Sequence, residues 1–399
     1  MRAPVVLHAI SSFDDTVLDR TAPVIMKGLA SCIAVPGALT NEVTKSPDFW
    51  STLQRLHQHK TEAEKVFAIL TTLATSNPTT VTADNFESAI ALANDFAAAG
   101  AIGSIQEKRK DFAAKRGHQA KPARDEEIAV VQRAIKAVSL IYQLSDRIPG
   151  LIAQSHLERN EAWAAYWSPI FRGLCTQCVN PCREVRHRAL SALQRTLLSE
   201  TVADREQHTE WTAIFDEVLF PMTLKLLKPE IYQVDPFGMN DTRAHAASLL
   251  CKIFLRYLDR LVEVGRMKDV WMKVLELLDR LMNAGAEGDA LAEAVLEGVK
   301  NVLLVMDGTG YLARDEATAG PESHIQPVLT EGDGAAEEAV DGGEKQEAKS
   351  EDVQIWPETV RRLDRFLPGL VQELFPPPPD PPEARKAETE SHTKLDATS

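Results

Sequence analysis

Cys175, Cys178, Cys182 and His187 come nearest, by type and spacing, to a reactive or metal-binding site. The spacing Cys-x2-Cys-x3-Cys followed by His places soft ligands in one short stretch. A structural zinc site expects paired knuckles that turn the chain sharply. Helix signals run through both flanks here, so the four residues read as packing, in keeping with cysteine's behaviour as a small buried apolar residue. Gly308-Thr309-Gly310-Tyr311-Leu312-Ala313 imitates a dinucleotide fingerprint. It follows a helix rather than a strand and lies outside any βαβ pattern, so it reads as a helix stop at Asp307-Gly308. The sequence holds no GxxxxGK[ST], GxSxG or HExxH, and its ten histidines are scattered. No catalytic residue, cofactor, metal or small-molecule substrate is assigned.

A stronger signal is apolar. In WPETVRRLDRFLPGLVQELF, residues 356–375, Trp356, Val360, Leu363, Leu367, Leu370 and Leu374 recur at helical spacing. Phe366, Val371 and Phe375 widen that stripe. Pro357 suits a first helical turn, and Pro368 predicts a kink. Such a stripe calls for burial against the rest of the chain, in a partner's groove or on a membrane surface. Arg361, Arg362, Asp364 and Arg365 exclude a membrane span. Trp356, Val360, Leu363, Phe366, Leu367, Leu370 and Leu374 are therefore the candidate partner-binding residues. The basic stretch 108–124 reads as a solvated linker, with contact to anionic lipid as the alternative.

The elements that must position these residues are helical. Hydrophobic residues make up 44% of the 399 and aromatics only 6%, a balance that suits packed helices better than a sandwich. Five cysteines are too few, and odd in number, for a disulfide framework, which fits a reducing compartment. The net charge of -14 is unevenly spread. Residues 314–352 carry twelve acids against three bases, and the body up to residue 313 is nearly neutral. A near-neutral body argues against a nucleic-acid footprint. No apolar run approaches the roughly 20 residues of a membrane span. The first fifteen residues lack the pattern of a signal peptide and read as a helix cut open at the start of the sequence.

Helix signals follow one another. Ser46-Pro47 predicts a start, Thr61–Glu64 a capping box, and Gly100 a stop. Helical spacing covers 128–142, and further helices fit 159–178, 183–199, 209–227, 241–263, 267–283 and 289–306. CREVRHRALSALQRTLL and MNDTRAHAASLLCKIFL align with Arg186 over Arg243, Ala189 over Ala246 and Leu193 over Leu250, 57 residues apart. This is the make-up of an inner helix in a HEAT or armadillo unit, at longer spacing than the usual ~40–47 residues. The expectation is an all-α chain of HEAT/armadillo-like repeats, an α-solenoid, with Ala189, Leu193, Ala246 and Leu250 buried. Its domains are a helical region at 1–104, a basic linker at 105–124, a repeat region at 125–313, a disordered acidic linker at 314–352, an amphipathic helix at 353–375 and a disordered Pro-rich tail at 376–399.

Three blocks resemble the large Golgi Arf guanine-nucleotide exchange factors of the brefeldin-A-resistance and Gea class. They are SPDFWSTLQRLHQHKTEAEKVFAIL with VTADNFESAIALANDFAAAGAIGSIQEKR; CREVRHRALSALQRTLLS with WTAIFDEVLFPMTLKLL and MNDTRAHAASLLCKIFLRYL; and VWMKVLELLDRLMNAG with EAVLEGVKNVLLVMDGTGYL. Together they span most of residues 20–313 and resemble the helical regions that follow the exchange domain; the 356–375 helix resembles an element near the end of those proteins. The resemblance implies a non-catalytic part in vesicle traffic, cytoplasmic and peripheral at Golgi membranes. It implies Golgi-associated protein partners, the rest of an exchange factor among them, and Arf only indirectly. The family's glutamate finger lies in a stretch resembling FRLPGE, which has no match here, so no catalytic residue carries over. The dimerisation region has no counterpart either, and the chain reads as a fragment, a truncated gene model or a stand-alone remnant. The competing reading is a general helical-repeat adaptor unrelated to Arf; an enzyme is a third, for which no cluster of titratable groups stands out.

Overall fold

Alanine- and leucine-rich stretches with helical periodicity bury a stripe on most of the longer helices, and packing these stripes together makes the core. The computed structural model describes residues 3–34, 37–59, 61–76, 80–119, 121–203, 211–284, 289–312 and 355–376. Every regular element among them is a helix. The acidic linker expected at 314–352 and the Pro-rich tail from 377 lie outside the described residues. The chain divides into two compact units, residues 1–305 and 306–399.

The first unit opens with helices Ala3–Ser11, Asp15–Ile33, Ala38–Thr44, Pro47–Leu56 and Ala63–Thr75. Asp14 starts the second by accepting the Val17 N–H at 2.8 Å. Pro47 takes the first turn of its helix as expected, though the Ser46 hydroxyl makes no capping bond. No capping box forms at Thr61–Glu64: the helix starts at Ala63, and the neighbouring Glu62 is buried and paired with Lys65 at 2.9 Å.

Gly100 does not stop its helix. Phe86–Ala99 passes through a 3-10 turn, Gly100–Ile102, into Gly103–Lys115, and the whole spans 30 residues. The glycine serves close approach instead. A Cβ there would lie 2.5 Å from Ala134 Cβ and 2.8 Å from Val185 Cγ2. Residues 105–115 of the expected linker are therefore helix, and of the rest the described residues 116–119 and 121–124 are non-helical. By length and composition Phe86–Lys115 could cross a membrane, contrary to the sequence reading, because alanines carry its apolar window past two glycines. Phe86, Leu92 and Phe96 from this helix are nevertheless core residues.

From this helix a row of neighbours runs on. Phe86–Ala99 packs on Asp125–Ser145, which packs on Arg183–Leu197, then Met239–Arg256, then Met267–Asn283. Ala189, Leu193, Ala246 and Leu250 are all fully buried. Helical segments upstream of Arg183 and of Met239 share a local device, the second of them separated from Met239 by the short helix Pro229–Val234. Each holds a π-turn, Trp163–Trp167 and Ile214–Leu219, directly before a proline-bearing helix, Ser168–Gln177 and Phe220–Leu226. The Ser168 N–H bonds Trp163 O, and the Phe220 N–H bonds Phe215 O, each five residues back. Pro169 and Pro221 come next and have no N–H to give, so the wide turn sits where the regular ladder is already broken.

In the second unit, Gly310 is left-handed at φ 76°, its N–H bonds Asp307 O at 3.0 Å, and the Tyr311 N–H returns to Met306 O at 2.8 Å. That is a helix C-terminal stop, as read from the fingerprint mimic. The expected amphipathic helix at 353–375 is two helices, Ile355–Phe366 and Leu370–Leu374. Pro368 and the left-handed Gly369, φ 86°, break rather than kink it.

Candidate interaction surfaces

The break divides the apolar stripe. Ile355, Thr359 and Leu363 form the buried line of the longer helix, and Leu370 and Val371 that of the shorter one. Trp356, Val360, Phe366, Leu367 and Leu374 are only half-buried. Trp356 meets Phe375 edge-to-face, ring centroids 5.4 Å apart, and so ties the ends of the hairpin together. Glu358 lies 3.1 Å from Arg362 and 3.6 Å from Arg361 on the polar side. Of the seven expected partner-binding residues, Leu363 and Leu370 are thus core, and the other five keep accessible apolar surface. Ile355 and Thr359 were missed: the stripe was counted from Trp356, and a buried threonine carries no periodic apolar signal.

The cysteines are packed. Cys175, Cys178 and Cys182 are buried and unpaired. Burial pushes the Cys175 thiol up to about 12 and Cys182 to about 11, and raises Cys178 as well. His187 stands edge-on to His245 at 5.7 Å, and its pKa is lowered by burial, by His245 and by Arg186. Among the described residues no His, Cys, Asp or Glu group is arranged to hold a metal.

The aligned arginines show what the two helices Arg183–Leu197 and Met239–Arg256 share. Arg186 is fully buried and bonds Asn180 O at 2.8 Å, Pro181 O at 3.0 Å, Thr242 Oγ1 at 3.1 Å and Asp235 Oδ2 at 2.5 Å. Arg183 forks onto the same Asp235 and also onto Asp111, with bonds of 2.5–3.1 Å. Burial drives Asp235 upward, but hydrogen bonds from Arg183 and Arg186 outweigh it and hold the carboxyl at about 2. Glu107 accepts the Arg183 backbone N–H with both oxygens, at 2.9 and 3.0 Å. It thereby sets a negative charge on the N-terminus of Arg183–Leu197. Arg243, equally buried, binds carbonyls: Leu226 O at 2.9 and 3.1 Å and Ala284 O at 3.0 Å, with Tyr232 stacked at 4.7 Å. Nothing local foretold the carboxylate partners, which lie 52 to 76 residues from Arg183.

A cleft of about 950 Å³ lies in the N-terminal helices. Its charged groups are paired or hydrogen-bonded. Arg55 bonds Phe13 O and Asp15 at 2.7 Å each, and His59 Nε2 lies 2.8 Å from Asp19. Gln54 donates to Asp95 at 3.3 Å, and burial raises the pKa of that carboxyl. The arrangement braces helix ends and leaves no nucleophile–base pair aligned.

A stacked all-helical body and a short C-terminal hairpin are the context for the comparisons. Residues 167–370 match the family described as "GBF1-like, tetratrico peptide repeat region". The chain belongs to this family. The Golgi-specific brefeldin A-resistance guanine nucleotide exchange factor 1 homolog of Caenorhabditis elegans is 29% identical over 269 residues, 65% of this chain and 12% of the relative. The ARF guanine-nucleotide exchange factor GNOM of Arabidopsis thaliana is 32% identical over 158 residues, 39% of this chain and 11% of the relative. ARF guanine-nucleotide exchange factor 1 of Saccharomyces cerevisiae is 24% identical over 252 residues, 63% and 17% respectively. The chain thus spans less than a fifth of the length of each of these relatives. No solved structure matches. The GBF1-like description names tetratrico peptide repeats where HEAT- or armadillo-like units were expected; both are antiparallel helix pairs, and the 57-residue spacing exceeds either norm.

Proposed function

We propose that this chain is a non-catalytic scaffolding region of a Golgi Arf guanine-nucleotide exchange factor, acting in vesicle-mediated transport by recruiting protein partners and meeting the membrane surface. The single observation that carries the reading is the match of residues 167–370 to the GBF1-like repeat region. The exchange-factor names of the relatives support it. On this reading the two π-turn, proline and buried-arginine helix pairs are successive units of an α-solenoid, working in the cytoplasm and peripherally at the Golgi. The half-buried Trp356, Val360, Phe366, Leu367 and Leu374 form the partner-facing side of the hairpin, while Leu363 and Leu370 hold it together.

Two measurements test this. The purified chain should leave the nucleotide-release rate of an Arf GTPase unchanged in a fluorescence assay; clear acceleration would overturn the non-catalytic reading. A fluorescently tagged chain should concentrate at the Golgi, and Leu367→Asp with Val360→Ser, which leave the Trp356–Phe375 contact in place, should reduce that without lowering thermal stability. Recruitment that is absent, or indifferent to both changes, would sink the hairpin's assigned role.

A further inference from the structure

The helix Gly103–Lys115 sorts its charges. Glu107 and Asp111, one turn apart, face Arg183 and are consumed by it. Gly103 lets this side sit close: a Cβ there would come within 2.8 Å of Cys182 Sγ and Val131 Cγ2. At about 100° per residue, Ile105, Arg109, Phe112 and Arg116 fall together in a sector of roughly 60° on the opposite side. Ile105 is 47% exposed and Phe112 59%, and Lys108, Arg109, Lys110, Lys115 and Arg116 are all exposed. Lys121 and Arg124 continue the cationic run in the connection that follows and are also exposed. Among the described residues no carboxylate pairs with Lys108, Arg109, Lys110, Lys115, Arg116 or Lys121. Phe237, 42% exposed, stands edge-on to Phe112 at 6.4 Å with Lys115 4.3 Å above its ring, which extends the aromatic part of the face.

We infer that this face is a docking surface for an anionic phospholipid bilayer. The acids of the helix are spent inward, so what is presented outward is cationic and complements anionic headgroups. The apolar side chains interleaved with the bases distinguish it from a merely solvated charged helix. Bases bind headgroups, while Ile105, Phe112 and Phe237 have the size and exposure to enter the acyl boundary. An acidic peptide would satisfy the bases but leave two aromatic rings and an isoleucine in water. The inference deepens the recruitment reading above and rests on it for the choice of a membrane, while vesicle binding and Golgi recruitment can fail separately.

The test is co-sedimentation of the full chain with phosphatidylcholine vesicles, with and without roughly 30 mol% phosphatidylserine. Binding should need the anionic lipid and weaken as salt rises. Arg109→Glu with Arg116→Glu should reduce it by more than about twentyfold, taking roughly fivefold per charge removed. Ile105→Ser with Phe112→Ser should reduce it several-fold at unchanged net charge. Thermal unfolding checks each variant; should the glutamate pair prove unstable, Lys108→Gln with Lys115→Gln replaces it with a loss of about tenfold or more expected, and should the serine pair prove unstable, Phe112→Ser alone replaces it with a smaller loss expected. Equal binding to neutral vesicles, no binding at all, or indifference to the charge changes would overturn the proposal. Capture of a poly-glutamate peptide without vesicle binding would also overturn it, in favour of an acidic protein partner.

Discussion

Arg186 and Arg243 occupy the same place in two neighbouring helices, are equally buried, and are used differently. Arg186 shares a carboxylate with Arg183 and so joins its own helix to the turn that holds Asp235. Arg243 gathers the carbonyl ends of Phe220–Leu226 and Met267–Asn283. The first is a buried ion pair, whose desolvation cost is offset only while both partners stay. The second is a cation on the negative ends of helices, hydrogen-bonded to carbonyls and faced by the Tyr232 ring, with no carboxylate partner among the described residues. A sequence position that marks a shared helix can thus serve two electrostatic designs.

The largest expected effect separates those designs. Asp235→Asn should cost about 3–5 kcal/mol in denaturant unfolding, because it leaves the buried Arg186 without its counter-charge. A loss below about 1 kcal/mol would mean that the backbone carbonyls around Arg186 suffice, as they do for Arg243, and the contrast would collapse. Next comes Arg243→Met, which keeps the bulk but abandons two carbonyl oxygens; about 2–3 kcal/mol is expected. Arg243→Lys should recover only part of that, since one ammonium cannot reach both helix ends with the fork's geometry.

Acid distinguishes the two sites as well. Asp235 is held near 2, below its ordinary 3.8, so its contribution is complete above about pH 4 and fades as pH falls toward 2. That loss should be on the order of 2 kcal/mol. Acid titration of stability should show it in the parent chain and in Arg243→Met, and should lack it in Asp235→Asn. An identical acid limb in all three would assign the sensitivity to other carboxylates.

What could be read in advance follows the range of the interactions. The aligned arginines, the buried Ala189, Leu193, Ala246 and Leu250, and a helix stop at Asp307-Gly308 were legible because each rests on local spacing, although the left-handed residue is Gly310. The stretch 105–115 was misread as linker because Glu107 and Asp111 look solvated until Arg183, more than seventy residues on, takes them up. Gly100 was misread as a stop because its role is contact with Ala134 and Val185, which no local pattern encodes. In the C-terminal hairpin the apolar stripe was visible, yet its division at Pro368-Gly369 was not, since proline alone is compatible with a kink.

The smallest effect bears on whether the two helix pairs are copies in mechanism as well as in pattern. If proline dictates the π-turn, Pro169→Ala and Pro221→Ala should behave alike. Each change restores an N–H and removes the ring that crowds the carbonyl four residues back, which would favour a regular turn. Each also loosens the unfolded chain, which costs about 0.4–1 kcal/mol. The two terms oppose, so both variants should stay within about 1 kcal/mol of the parent in thermal unfolding. The neighbourhoods differ enough to make this demanding: Trp163, Tyr166 and Trp167 line the first π-turn, and Ile214, Phe215, Val218 and Leu219 the second, all buried. Collapse of the wide turn would rotate these side chains by part of a turn and misplace them in a close-packed core. A loss well above 1 kcal/mol at one proline only would show that its π-turn is fixed by packing, and that the two helices reached the same shape for different reasons.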